Sequence, residues 1–322
     1  MAKKTKPTIL VVGAGSIGER HIRNLGTLAT QKTLVLRSRQ LPLRTVDGKG
    51  LTIVTSLQDA LRHDPAAAII CTPTALHLEQ ALACVKQGLS VLVEKPLSHR
   101  KKGLKKLARA AKKRGVFVQV GYMMRYHPLL RAVKQMIDRG EHGGLVHFSS
   151  HWGEYLPDWH PWEDYRTGYA ARRELGGGAG LTLSHDLDVA LWMLDGKISE
   201  HATVKNYASA LEVDTDSATD VLLRAKNGVT AHVHQNFFER PARRDYRFRF
   251  STATATVDFF ANRLTLERAG KPPRITELTD FDRNDLFLDQ TRDFLRRLRA
   301  GAESGYTRDQ IATSRKIVKI LQ

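Results

Sequence analysis

Cysteine is scarce in this sequence, which has two cysteines, Cys71 and Cys84, among 322 residues. Two thiols cannot form a disulfide framework or a four-thiolate zinc site, and we expect no metal centre. Long apolar runs are absent too. The run Ile9–Val12 is shorter than a signal-peptide core, and no stretch reaches the roughly 18 apolar residues that span a membrane. These absences favour a protein of the reducing cytoplasm without a membrane-spanning segment.

Acidic residues are outnumbered, since 33 Asp and Glu stand against 51 Lys and Arg and leave a net charge of +18. Such an excess suits nucleic acid, an anionic membrane or an acidic small molecule, and net charge alone does not choose between them. Residues 100–114 contain nine Lys and Arg and no acid. Leu104, Leu107 and Ala111 repeat there at helical spacing, which predicts a helix whose basic residues face solvent. We therefore expect neither nucleic acid nor a membrane as a partner.

The length predicts two domains, and 42% hydrophobic with 26% charged residues is the composition of a globular protein. The first 120 residues alternate β-branched runs with amphipathic segments, which is typical of a parallel sheet covered by helices. The predicted strands are Thr8–Val12, Thr33–Arg37, Leu51–Val54, Ala66–Cys71, Ser90–Glu94 and Val116–Val120, with helices near 16–29, 56–62, 74–87 and 98–114. We expect an α/β fold whose N-terminal domain, residues 1–121, is a doubly wound parallel sheet of the Rossmann type.

The pattern changes after Gly121 and predicts a second, α+β domain over residues 122–322. Helices are expected at Pro128–Arg139 and near 181–194, 284–299 and 307–321. Strands are expected at Val146–Glu154, Val221–Ala225, Val229–Phe237, Tyr246–Ser251, Thr254–Phe260 and Arg263–Glu267. Asn227-Gly228 between two of these runs is a strong hairpin signal. This order indicates an open, mainly antiparallel sheet.

The segment Gly13-Ala14-Gly15-Ser16-Ile17-Gly18 is a G-x-G-x-x-G that follows the first predicted strand and opens the first predicted helix. In this context Gly13 permits a tight turn, Gly15 lets the backbone approach a pyrophosphate, and Gly18 permits close packing of helix on strand. The whole turn, with Ser16 and Ile17 at the start of the helix, is therefore expected to bind a dinucleotide.

The second predicted strand ends in Arg37-Ser38-Arg39, where an NAD-binding fold carries Asp or Glu. A carboxylate hydrogen-bonds the ribose 2′-hydroxyl of NAD and repels a 2′-phosphate, whereas two guanidinium groups around a hydroxyl can clamp that phosphate. These three residues favour NADP over NAD as the cofactor. The alternative is that both arginines are solvated surface residues.

Glu94-Lys95-Pro96 follows the fifth predicted strand, at the carboxyl edge where open α/β sheets bind ligands. Together with the glycine turn and with Cys71-Thr72-Pro73-Thr74 and His77, this tripeptide resembles the Gfo/Idh/MocA oxidoreductases, the family of glucose–fructose oxidoreductase and inositol 2-dehydrogenase. The resemblance covers essentially the whole chain, because the order of elements in the second half also matches.

The resemblance implies an NAD(P)-dependent dehydrogenase or reductase acting on CH–OH groups. It implies that Lys95 contacts the cofactor and the reacting hydroxyl or carbonyl, and that Glu94 holds the lysine and its loop. The expected cofactor-binding residues also include Thr72, Pro73, Thr74 and His77. Since the sheet of the second domain commonly forms the oligomer interface in this family, we expect a homo-oligomer, a dimer or a tetramer, through that sheet.

A second family signature is a triple glycine leading into a helix that carries Asp and His four residues apart. The run here is Gly176-Gly177-Gly178-Ala179-Gly180-Leu181-Thr182-Leu183-Ser184-His185-Asp186-Leu187-Asp188. His185 and Asp188 match the end of the signature, but Leu181 stands four residues before His185 and Thr182 occupies the place counted from the glycines. His185 is expected to be the general acid/base, because imidazole titrates near neutrality. Thr182 or Asp188 would orient it or touch substrate; alternatively, Lys95 carries the proton and His185 binds substrate.

Two further segments are predicted to line the substrate pocket. Arg125 is the candidate in the segment after the sixth strand. Residues 151–169 contain three of the four tryptophans, and aromatic faces beside hydroxyls and carboxylates suit sugar rings, although such a stretch can equally pack in a core. The candidates there and just beyond are Tyr155, Tyr169, Arg166 and Arg172, the arginines serving to neutralise a carboxylate or phosphate of the substrate.

These residues together predict hydride transfer between a nicotinamide and a secondary alcohol or ketone of a sugar, cyclitol or nucleotide-sugar acid. Lys95 would polarise the oxygen and His185 would exchange the proton. The alternative is a catalytically weak NADP(H)-binding regulatory protein of the same fold, which the absence of the signature Asp permits. Retention of both Lys95 and His185 favours the enzyme.

Overall fold

The computed structural model describes residues 6–28, 32–38, 42–208 and 210–322. Its contacts divide the chain into two units, with a division between Gly121 and Tyr122. The first unit takes the chain up to Gly121 together with Phe287–Arg315, and the second takes Tyr122–Leu286 with Lys316–Gln322. The sequence pattern predicts one domain over residues 122–322, whereas the structure gives Phe287–Arg315 to the first unit.

A parallel sheet forms the centre of the first unit. Its strands are β1 (Thr8–Val12), β2 (Lys32–Leu36), β3 (Thr52–Val54), β4 (Pro65–Ile70), β5 (Ser90–Val93) and β6 (Val118–Val120). The described strands lie in the order β3-β2-β1-β4-β5-β6, so the order reverses between β1 and β4. The connecting helices are α1 (Ser16–Leu28), α2 (Leu57–Leu61), α3 (Thr74–Lys86) and α4 (Leu104–Arg114). Strands β1, β4 and β5 are almost wholly buried, as strands covered on both faces should be, and the predicted Rossmann sheet is confirmed.

Helix α4 accounts for the densest group of positive charge. It buries Leu104, Leu107 and Ala111 against the unit and leaves its lysines and arginines exposed, as the spacing predicts. The helix begins at Leu104 rather than near residue 98. Gly103 adopts φ +95°, outside the helical region, so the helix starts only after it.

The second unit is built on a larger sheet of eight described strands. Its helices are α5 (Pro128–Asp138), α6 (Ala179–Thr182) and α7 (His185–Met193), and its strands are β7 (Leu145–Tyr155), β8 (Ile198–Asn206), β9 (Ala218–Ala225), β10 (Thr230–Asn236), β11 (Phe238–Phe250), β12 (Thr254–Asp258), β13 (Arg263–Arg268) and β14 (Lys271–Glu277). The order of the described strands is β14-β13-β12-β11-β7-β10-β9-β8. Neighbours are antiparallel except β7 and β10, which are parallel. The expectation of a mainly antiparallel sheet is confirmed.

Four elements of the second unit differ from the sequence prediction, and one of them is β11, which begins at Phe238 rather than at Tyr246. The edge strands β8 and β14 were not expected, because both are rich in polar residues and β14 contains Pro272 and Pro273. Proline is tolerated at a sheet edge, where its missing N–H faces solvent, and every residue of β14 is exposed. The single helix expected near 181–194 is interrupted at Leu183 and Ser184, so His185 is the first residue of α7.

The last two helices are α8 (Arg283–Ala300) and α9 (Tyr306–Ile320). Phe294 and Leu295 of α8 lie in the same buried cluster as Phe117, which precedes β6. The rings of Phe294 and Phe117 meet edge to face with 5.4 Å between their centroids. This packing explains why the segment belongs to the first unit.

Side chains of α9 also satisfy backbone groups of the edge strand β6. The Val118 N–H donates to Thr307 Oγ1 at 3.1 Å, and the Val120 N–H donates to Gln310 Oε1 at 2.9 Å. Unpaired N–H groups at a sheet edge are a template for aggregation, and covering them removes that hazard. Across the described ranges, no helix combines the length and the apolarity that crossing a membrane requires.

Candidate active site

The glycine turn between β1 and α1 has a shape that side chains would prevent. Gly13 has φ +92°, and a Cβ there would lie 3.0 Å from Thr72 Cγ2. A Cβ on Gly18 would lie 2.1 Å from the Gly13 carbonyl oxygen, closer than any real contact. A Cβ on Gly15, in contrast, would meet no atom within 4 Å. The turn is therefore tight where it packs and open beside Gly15, at the positive N-terminus of α1, where a diphosphate fits.

The end of β2 lies beside this turn, because the Gly13 N–H donates to the Leu36 carbonyl at 2.9 Å. Arg37 follows, partly buried, with its N–H bonded to the Val54 carbonyl, and Ser38 is exposed. Arg39 lies outside the described residues. A mostly apolar cleft of about 300 Å³ adjoins this strand end, and its walls include Val12, Leu36, Thr55, Ser56, Leu57 and Leu76. The strand end carries no carboxylate among the described residues 32–38.

His77, on α3, connects the Thr72 loop to the Lys95 loop. Its buried ring lies between two carbonyl oxygens, with Nε2 2.7 Å from that of Thr72 and Nδ1 2.8 Å from that of Pro96. Burial lowers the pKa of this imidazole, although both carbonyls and the Glu94 carboxylate favour its charged form. The Thr72 hydroxyl donates to Gln80 Oε1 at 2.6 Å and fastens the same loop to α3. Pro73 and Thr74 begin α3.

Glu94 and Lys95 follow β5 directly. Glu94 is buried, and its Oε1 accepts a hydrogen bond of 2.8 Å from His21 Nε2 on α1. Burial opposes ionisation, but the bond from His21, the positive charge of Lys95 and the Lys95 N–H hold the pKa of the carboxyl below its usual value. Gly121 lies directly against the Glu94 carboxylate, since a Cβ at this position would lie 3.1 Å from Glu94 Oε2. The loop that carries Lys95 is thus fastened by His21 on one side and by His77 on the other.

Lys95 itself is only partly buried. The Lys95–Pro96 peptide bond is cis. The first unit therefore brings together the glycine turn, Thr72, His77, Glu94 and Lys95, all of which the sequence motifs indicate. Its one unexpected member is His21, which lies inside the run after the glycines and carried no separate signal.

In the second unit two of the three consecutive glycines are required by close packing. A Cβ on Gly177 would lie 2.3 Å from the Tyr169 carbonyl oxygen, and one on Gly178, which has φ +103°, would lie 2.4 Å from Asp216 Oδ1. The Asp216 carboxylate accepts hydrogen bonds from the Gly180 N–H at 2.9 Å and the Thr219 hydroxyl at 2.7 Å. The segment is thereby held against β9 and fixes the start of α7.

His185 is buried between two aromatic rings. Its ring centroid lies 5.9 Å from that of Tyr122 and 6.0 Å from that of Trp152. Burial raises the pKa of the Tyr122 hydroxyl well above its usual value, so the phenol stays neutral. Thr182 is also buried, but it ends α6 while His185 begins α7, so the two do not share one continuous helix.

Arg125 and Asp188, two separate candidates from the sequence, form one ion pair. Arg125 Nε and Nη2 donate to the two carboxylate oxygens of Asp188, each at 2.8 Å. Asp188 is fully buried, whereas the Arg125 side chain is 31% exposed. The buried carboxylate therefore orients the guanidinium, and much of the positive charge of Arg125 is balanced within the protein.

A second buried ion pair lies next to His185 and was not expected. Arg244 Nη2 donates to Asp186 Oδ1 at 2.6 Å, and the Tyr246 hydroxyl donates to the same oxygen at 2.8 Å. All three side chains are buried. The signal in the sequence is the alternation of β11, which places Arg244 on the same apolar face as Tyr246 and Phe248.

The aromatic segment mainly packs. Its residues Trp152 and Leu156 belong to a buried cluster against which Tyr155, Trp159, Tyr165 and Tyr169 are packed. Arg166 is bonded to Asp164 and Glu212, and Arg172 is bonded to Glu174. Both arginines therefore have carboxylate partners within the protein, at exposed positions. Within the described chain no group of three or more His, Cys, Asp and Glu side chains is arranged to hold a metal ion.

Two family descriptions match this chain. Residues 8–122 match the oxidoreductase family with NAD-binding Rossmann fold, GFO_IDH_MocA, and residues 130–257 match the GFO/IDH/MocA C-terminal domain. Among curated proteins, the chain is 30% identical over 196 residues to inositol 2-dehydrogenase 3 of Saccharopolyspora erythraea, across 58% of this chain and 54% of that protein. It is 29% identical over 205 residues to scyllo-inositol 2-dehydrogenase (NAD(+)) of Bacillus subtilis, across 61% and 57%. The chain thus spans between 54% and 57% of the length of these two relatives.

Solved structures with low identity share the fold. Levoglucosan dehydrogenase in complex with NADH has a TM-score of 0.86 at 15% identity, covering 98% of this chain and 95% of that one. UDP-N-acetylglucosamine 3-dehydrogenase GnnA from Acidithiobacillus ferrooxidans has a TM-score of 0.79 at 18% identity, covering 98% and 96%. The two family matches extend over most of the sequence, on both sides of the division at Gly121. The chain belongs to the Gfo/Idh/MocA family of oxidoreductases.

Proposed function

We propose that this protein is an NADP-dependent dehydrogenase or reductase that transfers hydride between nicotinamide C4 and a secondary alcohol or ketone of a sugar, cyclitol or sugar acid, free or nucleotide-linked. The observation that carries the proposal is Lys95, which directly follows β5 on a loop fastened by the buried residues His21 and His77. A cation held in place can stabilise the charge that develops on a substrate oxygen. The names of the relatives, inositol and levoglucosan dehydrogenases among them, support this substrate class.

The cofactor would accept or donate the hydride, and the first unit offers the groups to hold it. The open space beside Gly15 suits its diphosphate. The proposed cofactor-binding residues are Gly13, Gly15, Ser16, Ile17, Gly18, Arg37, Ser38, Arg39, Thr72, Pro73, Thr74, His77, Glu94 and Lys95. Among these, Glu94 acts through the loop, because its carboxylate is buried against His21.

The preference for NADP rests on the end of β2. Arg37 and Ser38 follow this strand where a carboxylate would select NAD. Charge-assisted hydrogen bonds are worth about 1.5 to 3 kcal/mol each, so Arg37→Asp and Arg39→Asp should each weaken NADP binding by about 10- to 100-fold. The measurement is the dissociation constant of NADPH and of NADH for each variant. Unchanged NADPH affinity in both variants would overturn the preference.

The proton and the substrate would be handled largely by residues of the second unit. We assign proton exchange to His185, buried beside Tyr122 and Trp152, and polarisation of the oxygen to Lys95. The proposed substrate-binding residues are Arg125, Tyr155, Arg166, Tyr169, Thr182 and Asp188. Of these, the pair of Arg125 and Asp188 has the best-defined geometry, and its partly exposed member, Arg125, is the one placed to bond a substrate hydroxyl.

The activity is tested with a panel of inositols, sugars, sugar acids and nucleotide sugars, each with NADP and NAD, using purified wild type, Lys95→Ala and His185→Asn. Turnover by wild type with at least one substrate, lost in Lys95→Ala without loss of NADPH binding, is the expected result. Tight NADPH binding with no turnover on any substrate would favour the second candidate, an NADP(H)-binding regulatory protein. The observation behind that candidate is that Leu181 and Thr182 stand where the family signature places an acid.

We also propose that residues 122–322 supply the substrate and oligomer functions and that the protein forms a dimer or tetramer. Exposed Val204, Leu222 and Ile275 on the larger sheet support association through it. Size-exclusion chromatography with light scattering tests the assembly.

Cys71 and Cys84 are both buried free thiols, which supports a reducing cytoplasmic location.

A further inference from the structure

Arg244 is among the largest fully buried side chains of the protein, and neither hydride nor proton transfer uses it. Its guanidinium contacts two aromatic rings, with Cζ 3.7 Å from the centroid of Trp152 and 4.7 Å from that of Phe259. Trp152 is itself fixed, because its Nε1–H donates to Glu154 Oε1 at 2.8 Å. The planar cation and the indole ring therefore determine each other's orientation.

The charge of Arg244 is balanced by one buried carboxylate. Nη2 donates to Asp186 Oδ1 at 2.6 Å, Nε donates to the Tyr246 hydroxyl at 2.8 Å, and that hydroxyl donates to the same Asp186 oxygen. Replacing a buried ion pair with apolar residues is often neutral or stabilising, so stability alone does not explain such a pair. The role of this pair therefore depends on which neighbouring groups it holds in place.

Both groups that Arg244 contacts adjoin His185. Asp186 is the next residue along the chain, at the start of α7, and the Trp152 ring lies 6.0 Å from the His185 ring. No carboxylate of α6 is available to orient the imidazole, because Leu181 and Thr182 occupy the last two positions of that helix. The side chain of Arg244 contacts both Asp186 and Trp152.

We propose that Arg244 is a positioning residue for His185, which it orients through Asp186 and Trp152. The proposal rests on the proposed function, in which His185 exchanges the proton of the substrate. A displacement of about 1 Å in a reacting group can cost about 100-fold in rate. We call the contacts of Arg244 with Asp186 and Trp152 the clamp. Loss of the clamp should therefore lower kcat more than it changes the affinity for the cofactor.

The test compares two variants of the ion pair with one matched control. Both variants leave the buried core without a net charge. Arg244→Lys retains the charge but loses the planar stack on Trp152 and the fork that reaches Asp186 and Tyr246 together. The double variant Asp186→Asn with Arg244→Met removes both charges at nearly the same volume, so that no lone buried charge opposes its folding. Phe248→Leu, on the same face of β11, loses core packing without touching the clamp.

We expect kcat to fall by about 100-fold in the double variant, by a smaller factor in Arg244→Lys and by less than about twofold in Phe248→Leu, with the NADPH dissociation constant unchanged in all three. Arg244→Lys should recover part of the kcat that the double variant loses. A double variant that folds and keeps its kcat would show that Arg244 does not position His185, and the proposal would fall.

A second readout does not depend on turnover. In protein labelled with isotopic histidine, the His185 resonance is identified by its absence in His185→Asn, and its pH titration is followed by NMR. The midpoint and line width should change in both clamp variants and stay as in wild type in Phe248→Leu. If wild type turns over no substrate but the His185 titration moves as expected, the proposed function fails while the positioning role of Arg244 stands. An unmoved titration in both clamp variants overturns the positioning role.

Discussion

His21 Nε2 donates a hydrogen bond of 2.8 Å to Glu94 Oε1, and the two side chains lie 73 residues apart in sequence and are both buried. His21 is on α1, the helix that starts at the glycine turn, and Glu94 immediately precedes Lys95. The same helix that would receive the cofactor diphosphate therefore also holds the lysine loop. A displacement of α1 would therefore act on the carboxylate that immediately precedes Lys95.

Removing that contact should weaken both folding and catalysis. His21→Leu leaves a buried carboxylate without its donor, which costs about 1 to 3 kcal/mol, whereas the amide of His21→Gln can still donate to Glu94. We expect the leucine variant to lose that amount of unfolding free energy in urea and to show a lower kcat, with the glutamine variant closer to wild type in both. Equal losses in the two variants would mean that the hydrogen bond is not what matters.

Gly15 and Gly18 should separate cofactor binding from folding, because only Gly18 is closely packed. Gly18→Ala places a Cβ 2.1 Å from the Gly13 carbonyl oxygen and should destabilise the first unit. Gly15→Ala meets no protein atom within 4 Å, so it should fold like wild type and yet obstruct the diphosphate. Thermal unfolding without cofactor, followed by NADPH titration, distinguishes the two. A Gly15→Ala variant that binds NADPH as wild type does would place the diphosphate elsewhere.

His127 should make the stability of the second unit depend on pH. Its ring is fully buried with Phe259 and Phe281 nearby, at centroid distances of 5.6 and 5.3 Å, and neither ring nitrogen has a hydrogen-bond partner among the described residues. Burial, aided by the charge of Arg244, lowers its pKa from 6.5 to about 4. The unfolded chain therefore binds the proton more readily than the folded one, so stability is complete above pH 6.5 and declines as the pH falls towards 4.

At about 1.36 kcal/mol per pKa unit, this effect removes about 2 kcal/mol of stability between pH 7.5 and pH 5. His127→Phe keeps an aromatic ring in the same place but cannot take up a proton. Urea unfolding at the two pH values should show a pH-dependent loss in wild type that exceeds the loss in the variant by about this amount. Parallel losses in wild type and His127→Phe would contradict the assignment.

Thr182→Asp should restore the acid that the family signature carries before His185. A carboxylate near an imidazole favours its protonated form, so the acidic limb of the profile of kcat/KM against pH should move to higher pH. Because Thr182 is buried, the variant should also lose stability, and Thr182→Asn serves as the uncharged control of similar size. A profile that moves equally in both variants would attribute the effect to shape rather than charge.

The sequence predicts best those features whose cause is local. The glycine turn, the apolar stripe of α4 and the lysine after β5 each follow from neighbouring residues, and the structure shows the turn, the stripe and the strand at those places. Arg125 and Asp188 were each expected at the site, but their ion pair joins residues 63 positions apart and has no local signature. Contacts between residues that are distant in sequence cannot be predicted from periodicity and motifs, because they form only when the chain folds.

For two other features, the residue type alone suggests the wrong structure or environment. The prolines of β14 argue against a strand, and only its position at the sheet edge makes them acceptable. Arg244 reads as one more surface cation in a basic chain, although its alternation with Tyr246 and Phe248 on β11 assigns it to the buried face. The carboxylate that balances the buried charge of Arg244 belongs to Asp186, which lies 58 residues away in sequence.

The hydrogen bonds from Val118 and Val120 to Thr307 and Gln310 bear on how the nucleotide-binding half can be obtained as a separate fragment. A gene truncated at codon 121 would produce a sheet whose last strand has lost its cover, with Phe117 deprived of Phe294. Such a fragment should precipitate or pair edge to edge. A fusion in which a flexible linker joins residues 1–121 to 287–315 would retain the acceptors Thr307 and Gln310. This fusion is the smaller piece to attempt for crystallisation or isotope labelling.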